Sequence, residues 1–132
     1  QAAILLEKLK IFDDELNLRR SAANYYSINI NSNLKTPATP VDYYCSWAQY
    51  SLLSNSEQER FEIMTRLDDR NIPSMIYYRI PLHMQSVYKK LGHIKGDFPN
   101  AEKVASQIFS IPMHPYLKRS QQDKIIEVLN DG

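Results

Sequence analysis

Apolar residues recur at helical spacing over the first thirty positions. Leu5, Leu9, Phe12, Leu16, Ala23, Tyr26 and Ile30 fall on one stripe, interrupted by Arg19, while Glu7, Lys10, Asp14 and Asn17 can face water. Ile4, Ile11, Leu18 and Tyr25 widen the stripe into an adjacent face. The spacing predicts one long helix from Gln1 to about Ile30. No Ser, Thr, Asp or Asn precedes it to cap its free N–H groups, so the pattern reads as a piece of a longer chain. Its first half has more apolar surface than the remainder can cover, and is expected to pack on a missing domain or a second subunit. The stripe is too wide and too short to favour a two-stranded coiled coil.

Asn31-Ser32-Asn33 ends that helix with turn-tolerant residues, and the prolines at 37 and 40 keep the following loop extended. Tyr43–Leu53 alternates as a strand, with Tyr44, Ala48, Tyr50 and Leu52 on one face and Cys45, Trp47, Gln49 and Ser51 on the other. Ser54, with Glu57 three residues on, predicts a capped helix whose inner stripe is Phe61, Met64 and Leu67. Asn71 is its expected C-cap, and Pro73 prevents its continuing. Ser74–Tyr78 reads as a second strand stopped by Pro81, and Ser86–Leu91 as a helical turn before a loop from Gly92 to Gly96. Asp97 is placed as the cap of a short helix Ala101–Gln107. Phe109–Met113 is a third strand, and Ser120 is placed as the cap of a last helix that buries Ile125, Ile126, Val128 and Leu129. The order predicts an α/β (α+β) two-layer sandwich, with a small three-stranded sheet and flanking helices behind a long N-terminal connector helix.

Length and charge narrow the function classes. A chain of 132 residues is one ordinary domain with a real core. A net charge of +1, without a basic stripe interleaved with aromatics, argues against nucleic acid. No apolar run approaches the roughly 20 residues of a membrane span, and there is no signal-peptide pattern. The lone Cys45 excludes an intrachain disulfide framework, so a reducing, cytoplasmic setting is expected.

His83, His93 and His114 lack carboxylate or Cys partners at metal-ligand spacing, so no metal site is expected. With only three glycines, the chain has no phosphate-cradling loop, and no Ser-His-Asp or Cys-His arrangement is visible. Two rims invite binding: Tyr77–Gln85, and Pro112-Met113-His114-Pro115-Tyr116. Each sets His and Tyr in a proline-stiffened loop after a strand, where binding residues often sit. On the residues alone, a surface or capping role for each histidine is the competing reading.

Five segments, in order, carry a more specific signal. They are Gln1-Ala2-Ala3-Ile4-Leu5-Leu6 with Lys8-Leu9; Ile72-Pro73-Ser74 leading to Tyr78; Pro81-Leu82-His83-Met84-Gln85; Gly96-Asp97-Phe98-Pro99-Asn100-Ala101-Glu102; and Ser110-Ile111-Pro112-Met113-His114-Pro115-Tyr116-Leu117. Together they resemble the C-terminal third of the DegT-type sugar-nucleotide aminotransferases, pyridoxal-phosphate enzymes of the aspartate-aminotransferase fold. The resemblance implies that residues 1–31 are an interdomain and dimer-contact helix and 32–132 the small domain. It implies too that an N-terminal large domain, with the cofactor-bonding lysine and most phosphate contacts, is missing. None of the nine lysines here has such a context, so no catalytic, cofactor-binding or metal residue is assigned. Tyr78 matches the tyrosine of the family's usual His-Tyr pair. Tyr77 stands where that pair has His, and Arg79 where Pro is common. Tyr77, Tyr78, His83, Gln85, His114 and Tyr116 are the substrate-binding residues so implied.

The implied function is amino transfer from an amino acid such as glutamate to a keto sugar nucleotide, in a glycan or antibiotic-sugar pathway, by a homodimer. The fragment alone is expected to bind no pyridoxal phosphate and to be inactive. Two alternatives stand beside it: a non-catalytic binding or regulatory module derived from the same domain, and a dimerisation domain with no ligand.

Overall fold

The computed structural model describes residues 2–131. The expected long helix is broken. Helix α1 spans Ala2–Leu9 and helix α2 spans Phe12–Asn29, so Gln1, the first residue of the expected helix, lies outside the described residues. At the joint the Lys10 and Ile11 amides bond three residues back, to Glu7 and Lys8 carbonyls at 3.2 Å each. Such tightening closes a helix end. Asp13, Asp14 and Glu15 then occupy the first turn of α2, where the helix dipole favours carboxylates. A continuous helix would have lost that advantage, which periodicity alone does not register.

Strand β1, Tyr50–Leu53, pairs antiparallel with strand β2, Ile108–Ile111. The sheet therefore has two strands, not the expected three. Tyr50 opposes Ile111 and Leu52 opposes Phe109, and all four are buried. On the other face Ser51 opposes Ser110, their hydroxyls 2.7 Å apart. The early part of the expected strand 43–53 is irregular because Trp47 adopts a left-handed φ of 50° and turns its ring into the core. The expected strand 74–78 is reduced to one bridge, in which Met75 and Ser110 exchange backbone hydrogen bonds of 3.0 and 2.8 Å. Continuing that register would set Pro73 against Pro112, and neither has an N–H to donate. Lys35 forms a matching single bridge with Leu53 on the opposite edge.

Helix α3 spans Glu57–Asp69 and is capped by Ser56, whose hydroxyl accepts the Glu59 N–H at 3.0 Å. Ser54, the expected cap, is buried and instead donates to the Ser56 and Gln107 carbonyls. The shifted start rotates the helix. Arg60, Ile63 and Leu67 face inward, Met64 is half-buried, and Phe61, expected inside, is 66% exposed. Its C-terminus is as expected a turn at Asn71, now resolved as a left-handed residue with φ 56° one place past the cap. The Ile72 and Asn71 amides bond the Leu67 and Asp68 carbonyls, both at 2.8 Å, which is the Schellman pattern.

Two short 3-10 segments follow, Leu82–Met84 and Ser86–Leu91, and neither buries an apolar residue. Helix α4, Pro99–Gln107, begins with Pro at its first position, two residues earlier than expected, and Asp97 does not cap it. Helix α5, Arg119–Asn130, starts after Lys118, whose N–H donates to the Gln121 side chain at 3.0 Å. Ser120 lies inside that first turn and is not the cap. Ile125, Ile126, Val128 and Leu129 are buried as the pattern predicts, together with Gln122, whose amide donates to the Ala22 carbonyl at 2.9 Å.

The core is where α2, α3 and α5 meet the Tyr50–Leu52 and Phe109–Ile111 face. Tyr26 is its centre, fully buried with its ring 5.1 Å from that of Tyr50. Burying each such side chain contributes about 1.5–3 kcal/mol. The Tyr26 hydroxyl donates to the Pro112 carbonyl at 3.1 Å, and the Tyr50 and Ser27 hydroxyls lie 2.7 Å apart. The second half of α2 is thus part of the domain core. Ile4, Leu5, Leu6 and Leu9 of α1 remain exposed.

Candidate functional site

The segment around the Met75 bridge runs between two cavities, and Ser74 lines both. Ile76 lines a cavity of about 880 Å³ bounded by α3, the 79–84 segment and α4. Met75 and Tyr77 line a smaller one of about 220 Å³, shared with Gln49 and with Pro112 and Met113. The two sequence rims therefore meet at one place, where Tyr77 approaches Met113. Tyr77 and Tyr78 are 55% and 73% exposed, presenting their phenols beside a proline-stiffened loop.

The other expected site residues are distributed differently. Of the six, Tyr77 alone lines the smaller cavity and none lines the larger. The His83 side chain is only 8% exposed, with Nε2 3.0 Å from Glu102 Oε1 and its ring 4.7 Å from Phe98. Gln85 is half-buried between the two 3-10 turns, and His114 is exposed at the tip of the second rim. Tyr116 turns away from the first rim, and its hydroxyl donates to Glu15 Oε1 on α2 at 2.5 Å. Lys8 of α1 donates to the same oxygen at 3.0 Å, across the joint between the two helices.

These contacts set the local acid–base chemistry. The Tyr116 hydroxyl and the Lys8 ammonium hold the Glu15 carboxyl below the usual range, and the same bonds raise Tyr116 and Lys8. Glu102 is lowered chiefly by the Gly96 N–H, which donates to its Oε1 at 2.7 Å, and further by His83. Asp97 is lowered by the Ile94 N–H, at 3.0 Å, and then by His93. Each hydrogen bond to the ionised form stabilises it.

Glu102, Phe98 and Gly96, which enclose or anchor His83, were not among the expected site residues, although the sequence holds the signal. An acid in the first turn of a proline-started helix has free backbone donors near it, and Gly96 supplies one. In the larger cavity Arg60 is committed. It donates to the Ala105 carbonyl at 2.8 Å and pairs with Glu57 at 3.2 Å. Arg79 and Lys95 add positive charge to its rim above an apolar floor that includes Phe61, Met64 and Ile76. No group of three or more His, Cys, Asp or Glu side chains able to hold a metal occurs among the described residues. No helix among them is long and apolar enough to cross a membrane.

Comparison with known proteins places the chain in a family. The model of the DegT/DnrJ/EryC1/StrS aminotransferase family matches residues 1–130. A pleiotropic regulatory protein of Geobacillus stearothermophilus is 35% identical over 131 residues, covering 96% of this chain and 34% of that protein. The UDP-2-acetamido-2-deoxy-3-oxo-D-glucuronate aminotransferase of Pseudomonas aeruginosa is 34% identical over 118 residues, covering 89% and 31%. Among solved structures, a DegT DnrJ EryC1 StrS aminotransferase from Brucella abortus superposes with a TM-score of 0.91 at 42% identity, covering 99% of this chain and 34% of that one. The chain spans about a third of the length of the relatives it matches. With the match running through nearly every described residue, the chain belongs to the DegT/DnrJ/EryC1/StrS aminotransferase family.

Proposed function

We propose that this chain works as the C-terminal small domain of a pyridoxal-phosphate aminotransferase that moves an amino group from an amino acid, glutamate by preference, to a keto sugar nucleotide. The observation that carries the reading is the match over residues 1–130 to a family whose members are about three times as long. In the parent protein residues 1–31 are the helical connection to a large domain and 32–132 the small domain. The exposed Ile4, Leu5, Leu6 and Leu9 of α1 are the surface on which a large domain or a second protomer of a homodimer rests.

Pyridoxal phosphate, held by the large domain, supplies the electron sink for moving the amino group. A lysine that bonds such a cofactor is shielded from water, and all nine lysines of this chain are exposed. The residues present therefore do not fit the cofactor's anchoring site, and the bonding lysine is assigned to the large domain. This chain's own contribution is recognition. Tyr77 and Tyr78 offer phenols to sugar or phosphate oxygens, and Gln85, His114 and Tyr116 belong to the rims around them. The setting is cytoplasmic and the pathway one that makes amino sugars for glycans or antibiotics.

The test replaces Tyr77 and Tyr78 singly by Phe in the full-length protein. Each is expected to raise KM for the sugar nucleotide while leaving the half-reaction with the amino donor unchanged. Unaltered KM in both variants would remove the tyrosines from substrate recognition.

A further inference from the structure

The strap from Pro81 to Leu91 presents a physical problem. Its two 3-10 segments bury no apolar residue, and Leu82, Val87 and Leu91 all point to solvent. Apolar burial therefore does not fasten it, and short 3-10 turns are weak on their own. One side chain of the strap is enclosed: His83, between the Phe98 ring and the Glu102 carboxylate. Phe98 has a second ring against it, His93, at 5.0 Å.

Glu102 Oε1 joins three pieces of chain. It accepts from His83 Nε2 at 3.0 Å on the strap and from the Gly96 N–H at 2.7 Å on the loop behind it, and it sits on α4. An ionised carboxylate has lone pairs only, so His83 carries its proton on Nε2 in this contact, whichever charge state the ring has. Hydrogen bonds to a charged group in a partly buried site are among the strong ones. Glu102 with Pro81 and Met84 also lines the larger cavity, so the contact sets one wall of it.

We propose that His83 and Glu102 form a latch that fastens the 81–91 strap to the start of α4, and that His83 acts as a positioning residue through Glu102 instead of touching the sugar nucleotide. The strap carries Gln85 and begins three residues after Tyr78, so the latch fixes where Gln85 stands and where the chain leaving Tyr78 is held. The kinetic arm rests on the function proposed above; the structural arm does not.

The experiment uses the full-length protein with H83F, E102A, the double variant H83F/E102A, and E102Q. Phe keeps a ring against Phe98 but removes the donor, and Gln keeps an acceptor at Oε1. Backbone hydrogen exchange is read at Met84, Gln85, Tyr88 and Gly92, whose amides close the strap's turns. Loss of one charge-assisted hydrogen bond should speed their exchange about tenfold in H83F and in E102A, with the double variant no faster than either single. KM for the sugar nucleotide should rise about tenfold in the same three variants with kcat within about twofold, and E102Q, which keeps the acceptor but not the charge, should fall between wild type and E102A in both readouts. Raised KM in H83F beside unchanged KM and exchange in E102A would overturn the latch and return His83 to direct contact. Unchanged exchange in both single variants would overturn it outright. Should the wild-type protein transaminate no sugar nucleotide, the function reading fails alone, and exchange still decides the latch.

Discussion

Tyr26→Phe separates two contributions of one buried phenol. The substitution removes a single oxygen from a fully buried ring and leaves the Pro112 carbonyl without the 3.1 Å bond it accepts. A net hydrogen bond is worth about 0.5–1.5 kcal/mol, and a dry orphaned carbonyl costs up to about 3. The expected loss at pH 7 is about 1–2 kcal/mol, or roughly 3–10 °C in Tm for a domain of this size. Burial also pushes the Tyr26 phenol well above its usual pKa of 10.0. The folded form then keeps its proton at a pH where the unfolded form has lost it, so the contribution is complete below pH 10 and falls as pH rises beyond it. The wild-type chain should lose about 1.4 kcal/mol per pH unit above that point relative to the Phe variant, which has no phenol to ionise. Urea titrations of both proteins from pH 7 to 11.5 should give stabilities that converge and cross near about pH 11. Parallel curves would refute the burial argument, and a variant as stable as wild type at pH 7 would refute the hydrogen-bond argument.

Ser56→Ala should cost about 1 kcal/mol in chemical denaturation, since Ser56 caps α3. Phe61→Ser on the same helix should cost less than about 0.5 kcal/mol while Ile63→Ala costs about 2 or more, and the reverse order would show that the helix phase is wrong. Asn71→Ala should destabilise by about 1 kcal/mol and Asn71→Gly should not, because φ there is 56°. In Tyr116→Phe the Glu15 carboxyl should titrate at a higher pH by NMR, because the hydroxyl that stabilises its ionised form is gone. An unmoved midpoint would break the link between the second rim and the connector helix.

Which parts of this molecule could be read from sequence follows from what each depends on. The α5 burial set and the turn at Asn71 were legible because they rest on local periodicity and on a residue that tolerates left-handed backbone. The Phe61 face was misread because cap competition moved the start of α3 from Ser54 to Ser56, and a shift of two residues turns a helix face by half a turn. The expected strand 74–78 is reduced to the Met75–Ser110 bridge, and on its N-terminal side it is stopped by a non-local fact, the alignment of Pro73 with Pro112, which no window around either residue contains. Tyr77, Pro112 and Met113 line one cavity, and the two segments that carry them were legible because strand ends advertise themselves through prolines. The burial of His83 depends on Glu102, nineteen positions away, and the tie from Tyr116 to Glu15 spans 101, so single-sequence spacing could not reveal either.

Amination of a keto sugar nucleotide is the activity proposed for the enzyme that this chain serves. The full-length protein carrying it should be supplied with pyridoxal phosphate, L-glutamate and a panel of UDP- and dTDP-linked keto sugars, with the nucleotide products resolved by mass. At least one keto sugar nucleotide should become its amino counterpart, with 2-oxoglutarate formed in equal amount. A protein that binds the cofactor and consumes glutamate, yet aminates none of them, would contradict the proposed activity.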